Sequence, residues 1–407
     1  MSLPLAPGEL AFRIRPVVGP PVVAVRAWLT GGARVETTPG QALVTGRALT
    51  EGTRLRDWRR IAEDAEALGA VVTSSASFEA LGVSVDALAQ DWELAVDWAA
   101  EVLTAATFPA DRVAWLARQA AAELESLGDM PDVRTGWSFL EALYRPHPRC
   151  RPLLGSEESL GRITVEDCAS FHGRARGSGA VVVTGAIDPA AVEARVRERF
   201  AELRVPGEPF VAPPPPAGET AARSDVSLPP GDQAHLYAGR LTVPRAHPDH
   251  LALEVLGVVL GSGSGLSGRL PERLREKMGL AYSVQVQTVA GSSLDPGRFV
   301  VYLGTSPDTV EKANVALRGE LDRLLEDGVT ADELADARSY LLGRDAFRRE
   351  TARQWADLLG DAVLYGIPDD DPEARRAGLL AVDREALEAA ARRHLAGELV
   401  VTVGRPG

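Results

Sequence analysis

The sequence predicts an α+β fold of two homologous domains, each a mostly antiparallel sheet with helices packed on one face. Three observations predict it. The 407 residues exceed what one hydrophobic core usually organises, about 250–300 residues. A proline-rich stretch at 206–222, with four consecutive prolines from Pro213 to Pro216, cannot continue a helix or a central strand. The two sides of that stretch carry the same order of elements. The expected division is therefore residues 1–205, a linker at 206–222, and residues 223–407.

In the first half the apolar, β-branched run 22–29 reads as a strand, and 41–49 as a helix. A second helical pattern, 55–68, stops at Gly69. Two β-like runs follow, 70–78 and 81–88, then helical periodicity at 92–105 and 110–127. A helix over 165–174 leads into the apolar strand 180–184. The second half repeats this order. Strand 235–241 precedes helices 250–260 and 269–277, strands 281–289 and 298–304 follow, then helices 309–326 and 331–351. Helix 384–395 leads into strand 398–403. The half-ends also align, VEDCASFH…GAVVVTG against VDREALEA…GELVVTVG. Paired strands alternating with runs of helices argue for α+β over a doubly wound parallel sheet.

A net charge of −13 and a pI near 5.1 repel a phosphate backbone and argue against nucleic acid as a partner. The two cysteines, Cys150 and Cys168, form no CxxC and read as reduced thiols. No stretch reaches the roughly 18 apolar residues of a membrane span, and the first residues carry no apolar signal core. A cytoplasmic protein without a membrane partner is the expectation. The six histidines offer one close pair, His247 and His250 in HPDH, which reads as a turn before a helix. Two ligands on one helical face are not expected there. No spacing argues for a Ser-His-Asp or Cys-His arrangement.

Several strings carry a specific resemblance: GQALVTGRALTEGT (40–53), ALGAVVTSSAS (67–77), TFPADR (107–112), PLLGSEESLGRITVEDCASF (152–171) and LGSGSGLSGRLPERLREKMGLAYSV (260–284). Together they resemble the pitrilysin/insulinase-type (inverzincin) zinc metallopeptidases, and among them the short two-domain branch similar to mitochondrial processing peptidases. Active members carry H-x-x-E-H on a helix. Two histidines one turn apart bind zinc, the Glu between them is the general base, and a later Glu is the third ligand. The resemblance places that motif on Leu43, Gly46 and Arg47, none of which can do the chemistry. Leu has no lone pair, Gly has no side chain, and Arg is a permanent cation. The flanks Gly40, Ala42, Leu49, Gly52 and Thr53 keep the family frame. The third-ligand position is kept as Glu123, read as a helix-surface carboxylate paired with Arg47 where the two face each other.

The resemblance further implies an Arg/Tyr pair from the second half, here Arg275 and Tyr282. The phenol can donate to a scissile carbonyl as it becomes an oxyanion, and the guanidinium can hold the substrate backbone. The glycine-rich stretch before the pair supplies Gly261, Gly263, Gly265 and Gly268 as substrate-contact candidates. It has neither GK[ST] nor a GxGxxG in a βαβ setting, so it is not a phosphate loop. The resemblance thus implies a chain that is no peptidase alone. It would be a proteolytically inactive subunit of a heterodimeric zinc endopeptidase, with Arg275 and Tyr282 acting in trans. This chain would bind no cofactor, zinc being held by a partner of the same family carrying H-x-x-E-H. The substrate would be a peptide or unfolded protein segment. The alternatives are a scaffolding protein of the same fold, for which a homodimer would speak, and a peptide-binding module without turnover.

Overall fold

A computed structural model describes residues 10–176, 178–204, 210–211, 213–217, 222–263, 267–368 and 371–407. The chain forms two compact units: Met1–Glu125 with Pro152–Pro213 and Phe347–Asp370, and Ser126–Arg151 with Pro214–Ala346 and Asp371–Gly407. Each unit is built on one five-stranded sheet.

In the first unit the strands are β1 (Leu10–Pro16), β2 (Val22–Thr30), β3 (Val71–Ala76), β4 (Ala80–Leu88) and β5 (Gly179–Gly185), in the spatial order β1-β5-β2-β4-β3. In the second unit they are β6 (Arg223–Leu228), β7 (Ala234–Leu241), β8 (Ser283–Ala290), β9 (Arg298–Thr305) and β10 (Val400–Pro406), in the order β6-β10-β7-β9-β8. Both read first, last, second, fourth, third. In both, only the first and last strands pair in parallel. The duplication expected from the sequence is therefore a duplication of topology.

Period-two alternation splits β2 between two faces. Val23, Val25, Ala27 and Leu29 are buried, and the helix Trp92–Ala105 packs on β2 and β4. On the even side Ala24, with Val182 of β5, meets Ala352, Ala356 and Leu359. Trp28, with Ala80 and Ala180, meets Val363 and Leu364. These partners belong to the helix Ala352–Tyr365, which comes from the other half of the sequence. Arg26, on the same side, bonds Asp357 at 2.7 Å and Asp86 at 3.1 Å. With both faces covered, β5 is buried along its whole length and its sequence, GAVVVTG, does not alternate.

The second unit mirrors this arrangement. Its own helices His250–Leu260, Val310–Asp327 and Arg384–His394 share a core with Leu236, Ala238, Val301 and Val403. The other face takes the helix Pro131–Tyr144 from the N-terminal half, whose Phe139, Leu143 and Tyr144 cluster with Val400. The approach is close: a Cβ on Gly404 would lie 2.1 Å from Thr135 Oγ1. Each half thus covers one face of its sheet with its own helices, as expected, and the opposite face is covered by one helix lent by the other half. A cut at 206–222 separates the strands of the two sheets but not the units, because two helical segments cross over.

Buried charges anchor the returns of both crossovers. Arg375, just after the second return, bonds Asp345 and Glu254, each at 2.9 Å. Arg245 lies 3.4 Å from Glu254. At the first return, His147 and Arg149 lie 3.4 and 3.5 Å from the fully buried Asp295. Both cysteines are free, and burial pushes the Cys168 thiol up to about 11. Among the described residues, no helix is long and apolar enough to cross a membrane.

Candidate functional site

Leu43, Gly46 and Arg47, on which the resemblance places the motif, lie on the helix Gln41–Ala48 of the first unit. Its entry explains the preserved flank. Gly40 caps the helix with φ 86°, a left-handed value that disfavours other residues, and a Cβ there would lie 2.8 Å from the Leu154 carbonyl oxygen. The Glu36 carboxylate accepts the Gly40 and Ala42 N–H groups at 3.1 and 3.0 Å. At the far end Thr53 Oγ1 accepts the N–H groups of Leu55 and Arg56 and donates to Glu101.

Between these ends the chemistry is absent. Leu43 is buried. Gly46 lies against β3, where a Cβ would fall 2.6 Å from the Ser75 carbonyl carbon and 2.7 Å from the Ala76 nitrogen. Arg47 donates from Nη2 to Glu123 Oε2 at 2.8 Å, the pairing expected from the sequence. The Glu123 carboxylate is thereby held by a cation. These residues do not fit a zinc ion. With side-chain exposures of 29% and 45% the pair is solvent-screened. Replacing Arg47 by Ala is expected to change stability by at most about 1 kcal/mol, read by urea unfolding.

Arg275 and Tyr282 belong to the second unit. The short α-helical segment Arg269–Pro271 passes directly into a π-helical one, Glu272–Lys277, which carries Arg275. Such π turns recur at functional sites. The segment is held firmly. Leu270 and Leu274 are fully buried, and Arg269 makes a two-pronged pair with Glu333 at 2.6 and 2.7 Å. Gly279, at φ 60°, turns the chain back, and Leu280 N–H bonds the Leu274 carbonyl at 2.8 Å. Tyr282 then sits on a bend just before β8, its N–H bonded to the Gly304 carbonyl at 2.8 Å. The expected strand 281–289 thus begins only at Ser283, which leaves the Tyr282 ring outside the core. Tyr282 is 65% exposed, and the Arg275 side chain, beside Glu276 at 3.3 Å, is 40% exposed.

The glycine-rich stretch divides into three cases. Gly261 and Gly268, at φ 134° and 111°, touch backbone to backbone, since a Cβ on Gly268 would lie 2.5 Å from Gly261 Cα. Their side-chain absence has a packing cause. Gly263 has only ordinary contacts at 3.7 Å and beyond. Gly265 lies outside the described residues.

One cluster was not legible in the sequence. His247, Asp249 and His394 bring ligand-type atoms within 4.8 Å of one another. The group is already satisfied as a hydrogen-bonded network. His247 Nδ1 accepts the Asp249 N–H, His394 Nε2 lies 2.7 Å from Asp249 Oδ2, and Arg393 donates to both carboxylate oxygens at 3.0 Å. Burial pushes the Asp249 carboxyl up, but Arg393 and His394 outweigh it and hold it below its ordinary value. His247 and His250 occupy a turn and the first residue of a helix, as HPDH suggests.

Comparison with known proteins places this geometry. Residues 19–157 match the family model described as insulinase (peptidase family M16), and residues 163–341 match the peptidase M16 inactive domain. A protein of Mycobacterium leprae named an uncharacterized zinc protease is 30% identical over 350 residues, 84% of this chain and 78% of the relative. The chain belongs to the insulinase (M16) peptidase family. A Mycobacterium tuberculosis protein of the same description is 31% identical over 84% of this chain and 79% of its own length. Among solved structures, the M16 inactive domain from Pseudomonas fluorescens superposes with a TM-score of 0.89 at 25% identity, covering 100% of this chain and 98% of that one. A Helicobacter pylori protease shares the fold, with a TM-score of 0.87 at 17% identity over 99% of both chains. Within this M16 frame, the match to the inactive-type domain begins at residue 163 and so takes in β5 of the first unit as well as most of the second half.

Proposed function

We propose that this chain is a proteolytically inactive subunit of a heterodimeric zinc endopeptidase. It acts beside a similar M16 chain that carries H-x-x-E-H, and the substrate is a peptide or an unfolded protein segment. The observation that carries this reading is an asymmetry. The metal positions of the first unit are occupied by Leu43, Gly46 and an Arg47–Glu123 pair, while Arg275 and Tyr282 are held on an anchored turn and open to solvent. Among the described residues none bonds the Tyr282 hydroxyl, and a phenol so exposed is free to donate to a substrate carbonyl oxygen as charge develops there. Arg275 holds the substrate backbone next to it, and Gly263 allows close backbone approach. This chain holds no metal; the partner does.

The test is a reconstituted complex with Tyr282→Phe. Loss of one such donor typically costs about 2.7–4 kcal/mol of barrier, so kcat should fall by about a hundredfold or more with KM little changed. An unchanged kcat removes Tyr282 from the chemistry.

A further inference from the structure

The helix lent to the second sheet does not cover it completely. It packs on β6, β7 and β10 and leaves a cavity of about 240 Å³ over β8 and β9. Tyr237, Tyr302 and Trp137 supply aromatic walls, Gln285 and Gln287 line one side, and Arg298 lies among them. Register explains the grouping: Tyr237 pairs with Tyr302, Tyr302 with Gln285 and Val300 with Gln287, so these side chains share one face.

Two polar groups of this cavity lack adequate partners. Among the described residues, Arg298 has no carboxylate within ion-pair distance, and its one hydrogen bond reaches the Ala290 carbonyl at 3.5 Å. Among the described residues the Tyr237 hydroxyl has no hydrogen-bond partner, whereas that of Tyr302 lies 3.0 Å from His235 Nδ1. Burial pushes both phenols up, Tyr302 to about 12, so they are neutral donors. A second guanidinium is close. A Cβ on Gly291 would lie 3.0 Å from Arg298 Nη1 and 3.5 Å from Arg149 Nη1. Arg149 is balanced by Asp295; Arg298 is not. Asp132, whose charge reaches both tyrosines, does not line the cavity. A half-buried guanidinium with no carboxylate beside it keeps its fork of donors available to an anion.

We propose that this cavity binds a carboxylate carried by an aromatic or large apolar group, with the carboxylate on Arg298 and the ring among Tyr237, Tyr302 and Trp137. One guanidinium fork matches one carboxylate, and a single cation does not neutralise a phosphate dianion. The C-terminus of a peptide ending in an aromatic residue and a free aromatic acid offer the same chemistry.

The experiment is calorimetric titration of the full chain alone with N-acetylphenylalanine and with its amide. The acid should bind about tenfold or more tightly than the amide. Arg298→Gln should abolish that difference, and Tyr237→Phe, which removes one hydroxyl and keeps the ring, should reduce it. A hexapeptide ending in free phenylalanine separates the sources. If it binds as the small acid does, the ligand is a peptide C-terminus; if only the small acid binds, the ligand is a free acid. Equal binding of acid and amide, no saturation by either at millimolar concentration, or an Arg298→Gln chain that binds the acid unchanged would overturn the proposal. The assay reads binding to this chain without a partner, so its outcome is separable from that of the endopeptidase reading.

Discussion

Replacing Gly46 with Glu, the residue an active motif would have there, is expected to destabilise the first unit by more than about 3 kcal/mol. On a solvent-facing helix, Gly→Ala would gain about 1 kcal/mol from helix propensity. Gly46 is different because its missing Cβ would fall 2.6–2.7 Å from backbone atoms of Ser75 and Ala76. Backbone in a sheet strand cannot step aside as a flexible side chain can. Gly46→Ala should therefore cost about 1–3 kcal/mol despite the propensity gain. Glu adds a carboxylate at a buried position. Restoring His at 43 and 47 with Glu at 46 would then yield an unstable chain and no peptidase, because the helix now lies where only glycine fits. Urea unfolding of the two variants checks this, and an unchanged or raised midpoint for Gly46→Ala would refute the packing argument.

Arg375→Ala should cost the second unit about 3–5 kcal/mol, the typical penalty for breaking a buried ion pair by removing one member. Arg375 bridges Asp345, at the outgoing end of the second crossover, to Glu254 on the helix His250–Leu260. Burial alone would push the Glu254 carboxyl up; the His250 hydrogen bond and the charges of Arg375, His250 and Arg245 outweigh it and hold the group well below its ordinary range. A carboxyl with a depressed folded pKa stabilises above its unfolded value, about 4.3, and that contribution is lost as pH falls toward the folded value. In Arg375→Ala, Glu254 can take a proton, so the penalty should be smaller at pH 4 than at pH 7. Denaturant midpoints of both chains at the two pH values measure it. A loss under about 1 kcal/mol would show that the bridge is not what anchors the crossover.

The strands of both sheets were readable because each is a short β-branched run closed by turn residues, and the matching order in the halves made the duplication readable too. Edge strands β1 and β6 were missed: LAFRIRP and RSDVSL are only partly apolar and draw their stability from parallel pairing with β5 and β10. The lent helices Pro131–Tyr144 and Ala352–Tyr365 are not legible as crossover elements, since amphipathic periodicity shows that a face is buried and not against which sheet. The pattern at 331–351 reads as one helix, yet it stops at Ala346, and Thr351 starts a new one through a capping box with Gln354. That break is the crossover. That Leu43, Gly46 and Arg47 offer no zinc ligand is legible in their residue types alone. Why Gly46 takes no larger residue is not, because its reason is a contact with β3 about 30 residues away.

In the proposed complex the metal belongs to another chain. Isolating this chain from its source cells under native conditions, identifying what copurifies and measuring zinc on each component tests it most directly. The expected result is a similar-sized M16 chain carrying H-x-x-E-H, with zinc and peptidase activity on that partner. Recovery of this chain alone, or zinc held by this chain itself, would contradict it.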